Sequence, residues 1–497
     1  MIQFYKIAAV VFFILAAGLR LLLFWANPPE NAFDDHFEPI LLIMENGAVP
    51  SKEECWECFQ PPFFYLISAA TGNVVRALED VNEAQQLKLF QFLPCLYGIL
   101  TVFLIYSILG RVNLSDFART LAFGMICFLP RHIYMSAMHT NDTLSYLLVT
   151  LCVYLLLVII DRRFITVNTG KVRDLSTSGQ VPPSFGPPTD LKTSILIMAL
   201  TVVTVLALYT KSTALVLLPM MAVVCVYAFA RRLVVFDKRT IASCAILLSV
   251  PATVVGSAVV SDISAYGRPL PLNIELLDVS LTQPPGKDDL SFFNFKPWTT
   301  IKSPILGPGN IDSFWTLIYS RLWFDMEPMF LQYTDPDDDW WDAYDDYLNR
   351  HDRYEWPIKS SLSVFTRLTG STLIALGIVP LLLTITGIGR ALFGKWAIWS
   401  ETDPQEVIKV QLFVILLIFN LAGVIFHTFR HPFYSFMKAA FLLNSLSSLA
   451  LFLALGLMLL ENSGAFKWVI TLIFGCMFLL STAHVLHIVQ SLSFVVS

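Results

Sequence analysis

The sequence predicts an all-α polytopic membrane protein, a bundle of about eleven transmembrane helices with two long extracytoplasmic loops, and three observations predict it. The first is composition. Of the 497 residues 56% are hydrophobic and only 14% charged, roughly half the charged fraction of an ordinary soluble domain. The second is periodicity: mostly apolar runs recur near 7–25, 88–110, 117–137, 142–160, 193–210, 213–230, 240–260, 372–391, 408–427, 438–460 and 467–488, each long enough to span a bilayer. The third is the alternation of cations. Arg111 and Arg119, then Arg162, Arg163, Lys171, Arg173 and Lys192, then Arg231, Arg232, Lys238 and Arg239 populate alternate loops, which puts those loops and the N-terminus on the cytoplasmic side. On this reading an N-terminal transmembrane module, 1–260, carries a first outer loop, 26–87. A large outer loop, 261–370, and a C-terminal transmembrane module, 371–497, follow.

The first apolar run, Ile7 to Trp25, contains Arg20 and no small-residue cleavage site, so it reads as an uncleaved first span. Arg20 either snorkels to the membrane surface or faces a polar interior. The first outer loop holds eleven acids against two bases. Within it, Asp35 and Glu38 have capping-box spacing, Pro39 suits a first turn, and Phe37, Ile40, Leu41 and Met44 recur at helical intervals before Gly47. A short interfacial helix capped by Asp35 is therefore expected, with Asp34 the acid left free. Cys55 and Cys58 form a lone C-x-x-C, which in an outer loop reads foremost as a stapling disulfide. The other six cysteines fall in apolar runs. Gln60-Pro61-Pro62 opens a second interfacial or partly inserted helix from about 62.

The segment Val181–Pro188 is proline-rich and reads as a linker. Between 261 and 370 the chain mixes aromatics with the acidic run Asp335-Pro336-Asp337-Asp338-Asp339. That run lacks the glycine and terminal Glu of an EF-hand loop and reads as a solvated acidic face. The large loop is expected to fold over the outer surface and wall one side of a site. No basic, aromatic-interleaved stretch suggests nucleic acid.

Three groups carry candidate chemistry. Asp34, Asp35 and His36 stand where the first span meets water. His139-Thr140-Asn141-Asp142 lies between two apolar runs with almost no room for a loop. Thr140 or Asn141 can cap the next helix, Asp142 suits its first turn, and His139 with Asp142 also offers ligands for a divalent ion or contacts for a sugar. Lys211, Arg430 and Lys438 are cations in outward turns, against the charge rule, and an anionic lipid headgroup would explain them.

Phe33-Asp34-Asp35-His36-Phe37, Gly47-Ala48-Val49-Pro50 and Gln60-Pro61-Pro62-Phe63-Phe64-Tyr65 resemble the first outer loop of the GT-C glycosyltransferases, in particular the protein O-mannosyltransferase and lipid A aminoarabinose transferase group. Asn141-Asp142 is similar to that family's second acidic position, and Phe436-Met437-Lys438-Ala439-Ala440-Phe441 to its late lysine-aromatic segment near the lipid phosphate. The pattern departs from the family at Asp35, where Glu is usual, and at the histidine that follows. The resemblance implies a GT-C-like bundle and transfer of a sugar from a polyprenyl- or dolichyl-phosphate donor, with inversion, on the extracytoplasmic face. Asp34 would be the base, with Asp35 beside it, and His36, Asn141, Asp142, Lys211, Arg430 and Lys438 would contact substrate. A divalent metal ion is left open as a cofactor, as are glycan, lipid and protein acceptors. A prokaryotic plasma membrane is expected over the endoplasmic reticulum. The alternatives are a transporter or flippase for a lipid-linked or anionic substrate and a noncatalytic assembly subunit.

Overall fold

A computed structural model describes residues 2–29, 36–79, 81–174, 191–230, 238–278, 290–306, 310–326, 363–397, 403–461 and 463–496. Asp34, Asp35, the proline-rich segment at 181–188 and the acidic run at 335–339 lie outside the described residues. In chain order the helices are α1 (Ile2–Ala26), α2 (Glu38–Asn46), α3 (Phe63–Leu78), α4 (Glu83–Leu109), α5 (Asp116–Cys127), α6 (Pro130–Ala137), α7 (Asp142–Asp174), α8 (Leu191–Leu208), α9 (Leu217–Ala230) and α10 (Lys238–Tyr266). Then come the short α11 (Asn273–Leu276), α12 (Pro297–Lys302) and α13 (Phe314–Trp323), followed by α14 (Val364–Leu376), α15 (Ile378–Phe393), α16 (Pro404–Arg430), α17 (Leu446–Leu457) and α18 (Gly464–Val496). Among the described residues ten helical stretches are long and apolar enough to cross a membrane. The chain is an integral, multi-pass membrane protein.

The eleventh expected span, 117–137, is a broken helix made of α5 and α6. Leu129 precedes Pro130 and is extended, with ψ 112°, because the proline ring disfavours helical geometry in the residue before it. Neither half is long enough to cross alone. Burial orders the bundle: 89% of the apolar window at 434–457 is enclosed by protein, against 11% for α10, so α17 is central and α10 is peripheral. Gly387 of α15 and Gly456 of α17 let these helices touch backbone to backbone, since a Cβ at either would collide with the partner's main chain.

One loop expectation changes. The helix after the acidic motif begins at Glu38, with Phe37 at its N-cap and no side-chain cap, not at Asp35. A start at Asp35 would put Pro39 in the second half of the first turn, where an N–H is required. Starting at Glu38 puts the proline at the second position, where none is needed. Gly47 ends α2 in the left-handed region at φ 67°, donating its N–H to the Ile43 carbonyl. α3 does begin immediately after Pro62. Cys55 and Cys58 are disulfide-bonded.

The placement of Arg20, which the sequence leaves open, is settled by burial. The side chain is fully buried and turns inward. The large loop covers one end of the bundle: Arg321 of α13 donates to the carbonyls of Tyr434 and Met437 at 3.0 and 2.8 Å, and Phe293 packs on Phe429.

Candidate active site

Three sequence-predicted residues meet at that covered end. The turn between α6 and α7 is so tight that Asn141 and Asp142 enter the bundle at once, and both are buried. Lys211, in the turn after α8, reaches them from the other side. Its Nζ lies 2.8 Å from Asp142 Oδ1 and donates to Asn141 Oδ1 at 2.9 Å. Asn141 donates in turn to the Thr210 carbonyl. Lys211, expected to contact substrate, is thus also paired with Asp142. A buried ion pair whose lysine also donates to Asn141 and whose carboxylate accepts from the Thr140 hydroxyl is rigid, because either partner alone would be a costly unpaired charge.

The pair continues into a polar network. Tyr146, one turn into α7, donates to the Ala440 carbonyl at 2.9 Å. Ser145 donates to Asn444, whose amide donates to Thr213. Phe441 brings its ring within 5.8 Å of Lys211 Nζ. The late segment 438–445, a run of 3-10 turns, therefore sits directly against the Asp142–Lys211 pair. Lys438 stands at its head, half-buried.

His36 and His139 form the neighbouring wall. His36 is buried and hydrogen-bonded through Nδ1 to the Tyr65 hydroxyl at 2.9 Å, with Glu57 at 3.9 Å. The Cys55–Cys58 staple brackets that glutamate. His139 stacks on Phe37, ring centroids 4.1 Å apart, with Phe64 and Phe90 around it. Both its ring nitrogens are buried without a hydrogen-bond partner among the described residues. Burial, and then the nearby His36, hold the imidazole well below its ordinary pKa, so it is neutral at pH 7. The structure brings His36 and His139 together, ring centroids 6.4 Å apart, immediately after the segment that carries Asp34 and Asp35.

Arg430 is also taken. Its guanidinium makes a two-pronged contact with Glu275 of α11 at 2.6 and 2.7 Å. Partial burial pushes the Glu275 carboxyl up, but the Leu272 N–H and the Arg430 charge outweigh it and hold the group below its ordinary pKa. This contact anchors the large loop to the end of α16, so Arg430 acts here as a fastener.

A further buried cation stands here, one that the sequence reading passed over. Arg131, at the start of α6, is 5% exposed and makes no hydrogen bond or ion pair among the described residues, its Nε being buried without a partner. It lies within electrostatic reach of the Tyr134 and Tyr146 hydroxyls. Its signal was in plain view: an arginine inside an apolar run marks a functional position by default. Asp325, two residues beyond α13, is buried on the same side, within reach of Tyr134.

Among the described residues no cluster of metal ligands forms around His139 and Asp142. Asp142 is committed to Lys211, His139 faces phenyl rings, and no group of three His, Cys, Asp or Glu side chains converges among the described residues.

No family model matches the chain, and no curated protein does. Solved structures do. The oligosaccharyltransferase of Archaeoglobus fulgidus in its apo form superposes with a TM-score of 0.51 at 13% identity, over 96% of this chain and 56% of the other. The same archaeal enzyme, AglB, in complex with an inhibitory peptide and a dolichol-phosphate gives 0.50 at 14% identity, over 97% and 56%. The chain shares their membrane fold. It spans little more than half their length. This is the GT-C-like architecture that the first-loop motifs implied.

Proposed function

We propose that the chain is a GT-C type glycosyltransferase that moves a sugar from a polyprenyl- or dolichyl-phosphate donor to an acceptor hydroxyl, with inversion at the anomeric carbon. The observation that carries this reading is convergence. The Asn141–Asp142 turn, Lys211, the segment headed by Lys438 and the wall that follows the Asp34-Asp35 motif all meet at one end of a bundle with an oligosaccharyltransferase fold. One of the solved neighbours was captured with dolichol-phosphate.

Asp34 is the base. An acceptor hydroxyl attacks the anomeric carbon, its proton passes to the carboxylate, the carbon–oxygen bond to the lipid phosphate breaks, and the phosphate leaves with the bonding pair. A carboxylate at its ordinary pKa is already ionised at neutral pH. The leaving phosphate needs positive charge in a place sheltered from water, where each charge counts for more. Lys211 is spent on Asp142, so Arg131 and Lys438 take that role. The Asp142–Lys211–Asn141 unit holds the shape of the floor, and Asp35 and His36 follow the base directly in sequence, Asp35 to assist it and His36 to contact substrate. The active face is extracytoplasmic, in the plasma membrane of a prokaryote.

The test is transfer of radiolabelled sugar from a panel of polyprenyl-phosphate sugars by membranes carrying wild type or Asp34→Asn. Consumption of one donor by wild type alone, at equal protein level, supports the reading. If no donor is consumed, or Asp34→Asn transfers as well as wild type, the reading fails and transport becomes the better account.

A further inference from the structure

We infer that Arg20 is a positioning residue: from the interior of α1 it holds the break between α5 and α6 and so keeps the register of the segment that delivers Arg131, Asn141 and Asp142. The inference rests on the function proposed above for that segment, but the geometry that motivates it is independent of any chemistry.

A break in a membrane helix frees backbone carbonyls that have no water to turn to. Here the carbonyls at the end of α5 find side chains instead. Arg20 Nη1 donates to Cys127 O at 3.1 Å and to Ala16 O in its own helix at 2.8 Å. Ser481 of α18 donates to Phe128 O at 2.7 Å. The second arm of the guanidinium, Nη2, lies 2.6 Å from His132 Nδ1, in the first turn of α6. Arginine has only donors, so His132 accepts at Nδ1 and carries its own proton on Nε2. One planar group thereby ties the last residue of α5 to the first turn of α6 across the break.

The far end of α6 is gripped from the same helix. Asn27, just past the end of α1, donates to Ala137 O at 2.9 Å, and Gln91 of α4 donates to the same carbonyl at 3.0 Å. Lys88 locks this pair by donating to Asn27 O at 2.6 Å and to Gln91 Oε1 at 2.8 Å. On its third side α6 rests on Gly98 of α4, where any Cβ would run into Ser136. An eight-residue helix held at both ends and along one face has little freedom to slide or turn. Two residues after Ala137 comes His139, and Asp142 opens α7.

This arrangement goes beyond satisfying a buried charge. A snorkelling arginine would leave the start of α6 unlinked to the interior of α1, and a merely solvating one would not need two arms on opposite sides of a helix break. Displacements of about 1 Å at a remote support can cost on the order of a hundredfold in rate, because the reacting groups lose alignment.

The experiment uses the full chain in lipid nanodiscs and compares wild type, Arg20→Met, Arg20→Lys, His132→Asn and His132→Leu. Hydrogen exchange is followed peptide by peptide, and transfer kinetics are measured with the donor that wild type consumes. Arg20→Met is expected to raise exchange across 128–145 while α15 and α17 stay protected, and to lower kcat about tenfold to a hundredfold with KM near wild type. His132→Asn keeps an acceptor where Nδ1 was and is expected to behave as wild type, whereas His132→Leu should follow Arg20→Met. Arg20→Lys should lie between. Unchanged exchange at 128–145 in Arg20→Met overturns the inference, as does exchange that rises equally throughout the bundle, which would mean a general loss of stability. If wild type transfers no sugar but the local exchange pattern appears, the proposed function fails and the clamp stands.

Discussion

The two ends of this bundle treat charge in opposite ways. At one end Arg111, Asp161, Lys409 and Glu406 form a closed set. Arg111 reaches Asp161 at 2.8 Å and the Tyr154 hydroxyl at 3.1 Å, Lys409 bridges Asp161 and Glu406 at 2.7 and 2.9 Å, and Gln405 adds a further donor to Asp161. Every one of these charges has an opposite within reach, and together they tie the turn after α4 to α7 and α16. At the other end, Asp142 and Lys211 are paired, but among the described residues Arg131 makes no ion pair and the His139 ring nitrogens no hydrogen bond. A buried polar group left unsatisfied costs free energy that packing must offset. The first end spends its charges on holding helices together. The second keeps some in reserve, which is what a site for an anionic lipid and a hydroxyl acceptor requires.

Four experiments sharpen or break that contrast. The largest effect is expected at Asp34: replacement by Asn should lower transfer by roughly a hundredfold to ten-thousandfold, the usual contribution of a general base, without lowering the amount of folded protein. Lys211→Met comes next. It strands the Asp142 carboxylate in the interior and should destabilise the chain by about 3–5 kcal/mol, read as a fall in the unfolding midpoint, whereas the double change Lys211→Met with Asp142→Leu should restore most of the stability and none of the transfer.

A third comparison sets the ends side by side. Arg131→Met removes a buried cation that makes no hydrogen bond or ion pair among the described residues, so the unfolding midpoint should hold or rise while transfer falls on the order of a hundredfold. Lys409→Met leaves Glu406 without its cation and Asp161 with Arg111 alone, and should cost about 1–3 kcal/mol, with transfer per folded molecule unchanged. The opposite assignment of effects would end the distinction drawn here.

The smallest effect concerns pH. His139 has a folded-state pKa held below its unfolded value by burial and by His36. As pH falls through about 6.5 the unfolded chain takes up a proton that the folded chain refuses, so stability declines with falling pH in that window and is flat above it. His139→Phe, which fits among Phe37, Phe64 and Phe90, should flatten this part of the stability profile.

Much of this was legible in the sequence. Apolar run length located the spans, because a bilayer fixes the length of anything that crosses it, and Pro61-Pro62 and Gly47 marked helix ends through backbone geometry alone. The tight turn at 138–141 announced that Asn141 and Asp142 lie at the membrane boundary, and the structure adds that Lys211 is their partner. Such pairing is long-range: sixty-nine residues separate Asp142 from Lys211, and no local pattern records which cation meets which acid. The same reason hid the role of Arg430, whose partner Glu275 belongs to a different module. The break at Leu129–Pro130 was visible as a proline inside an apolar run, yet the run was long enough to pass for one span. Recognising the break would have drawn attention to Arg20, Arg131 and His132 together, since a broken helix in a membrane needs polar side chains to satisfy it.

The most direct test of the central claim is the affinity of the purified chain for a polyprenyl phosphate, measured in nanodiscs as the ligand-dependent rise in unfolding temperature for wild type and Arg131→Met. The account predicts a clear shift in wild type and at least about tenfold weaker binding in Arg131→Met, whose ligand-free midpoint is no lower. Equal affinity in the two proteins would contradict it, for then the unpaired guanidinium would not serve the lipid phosphate.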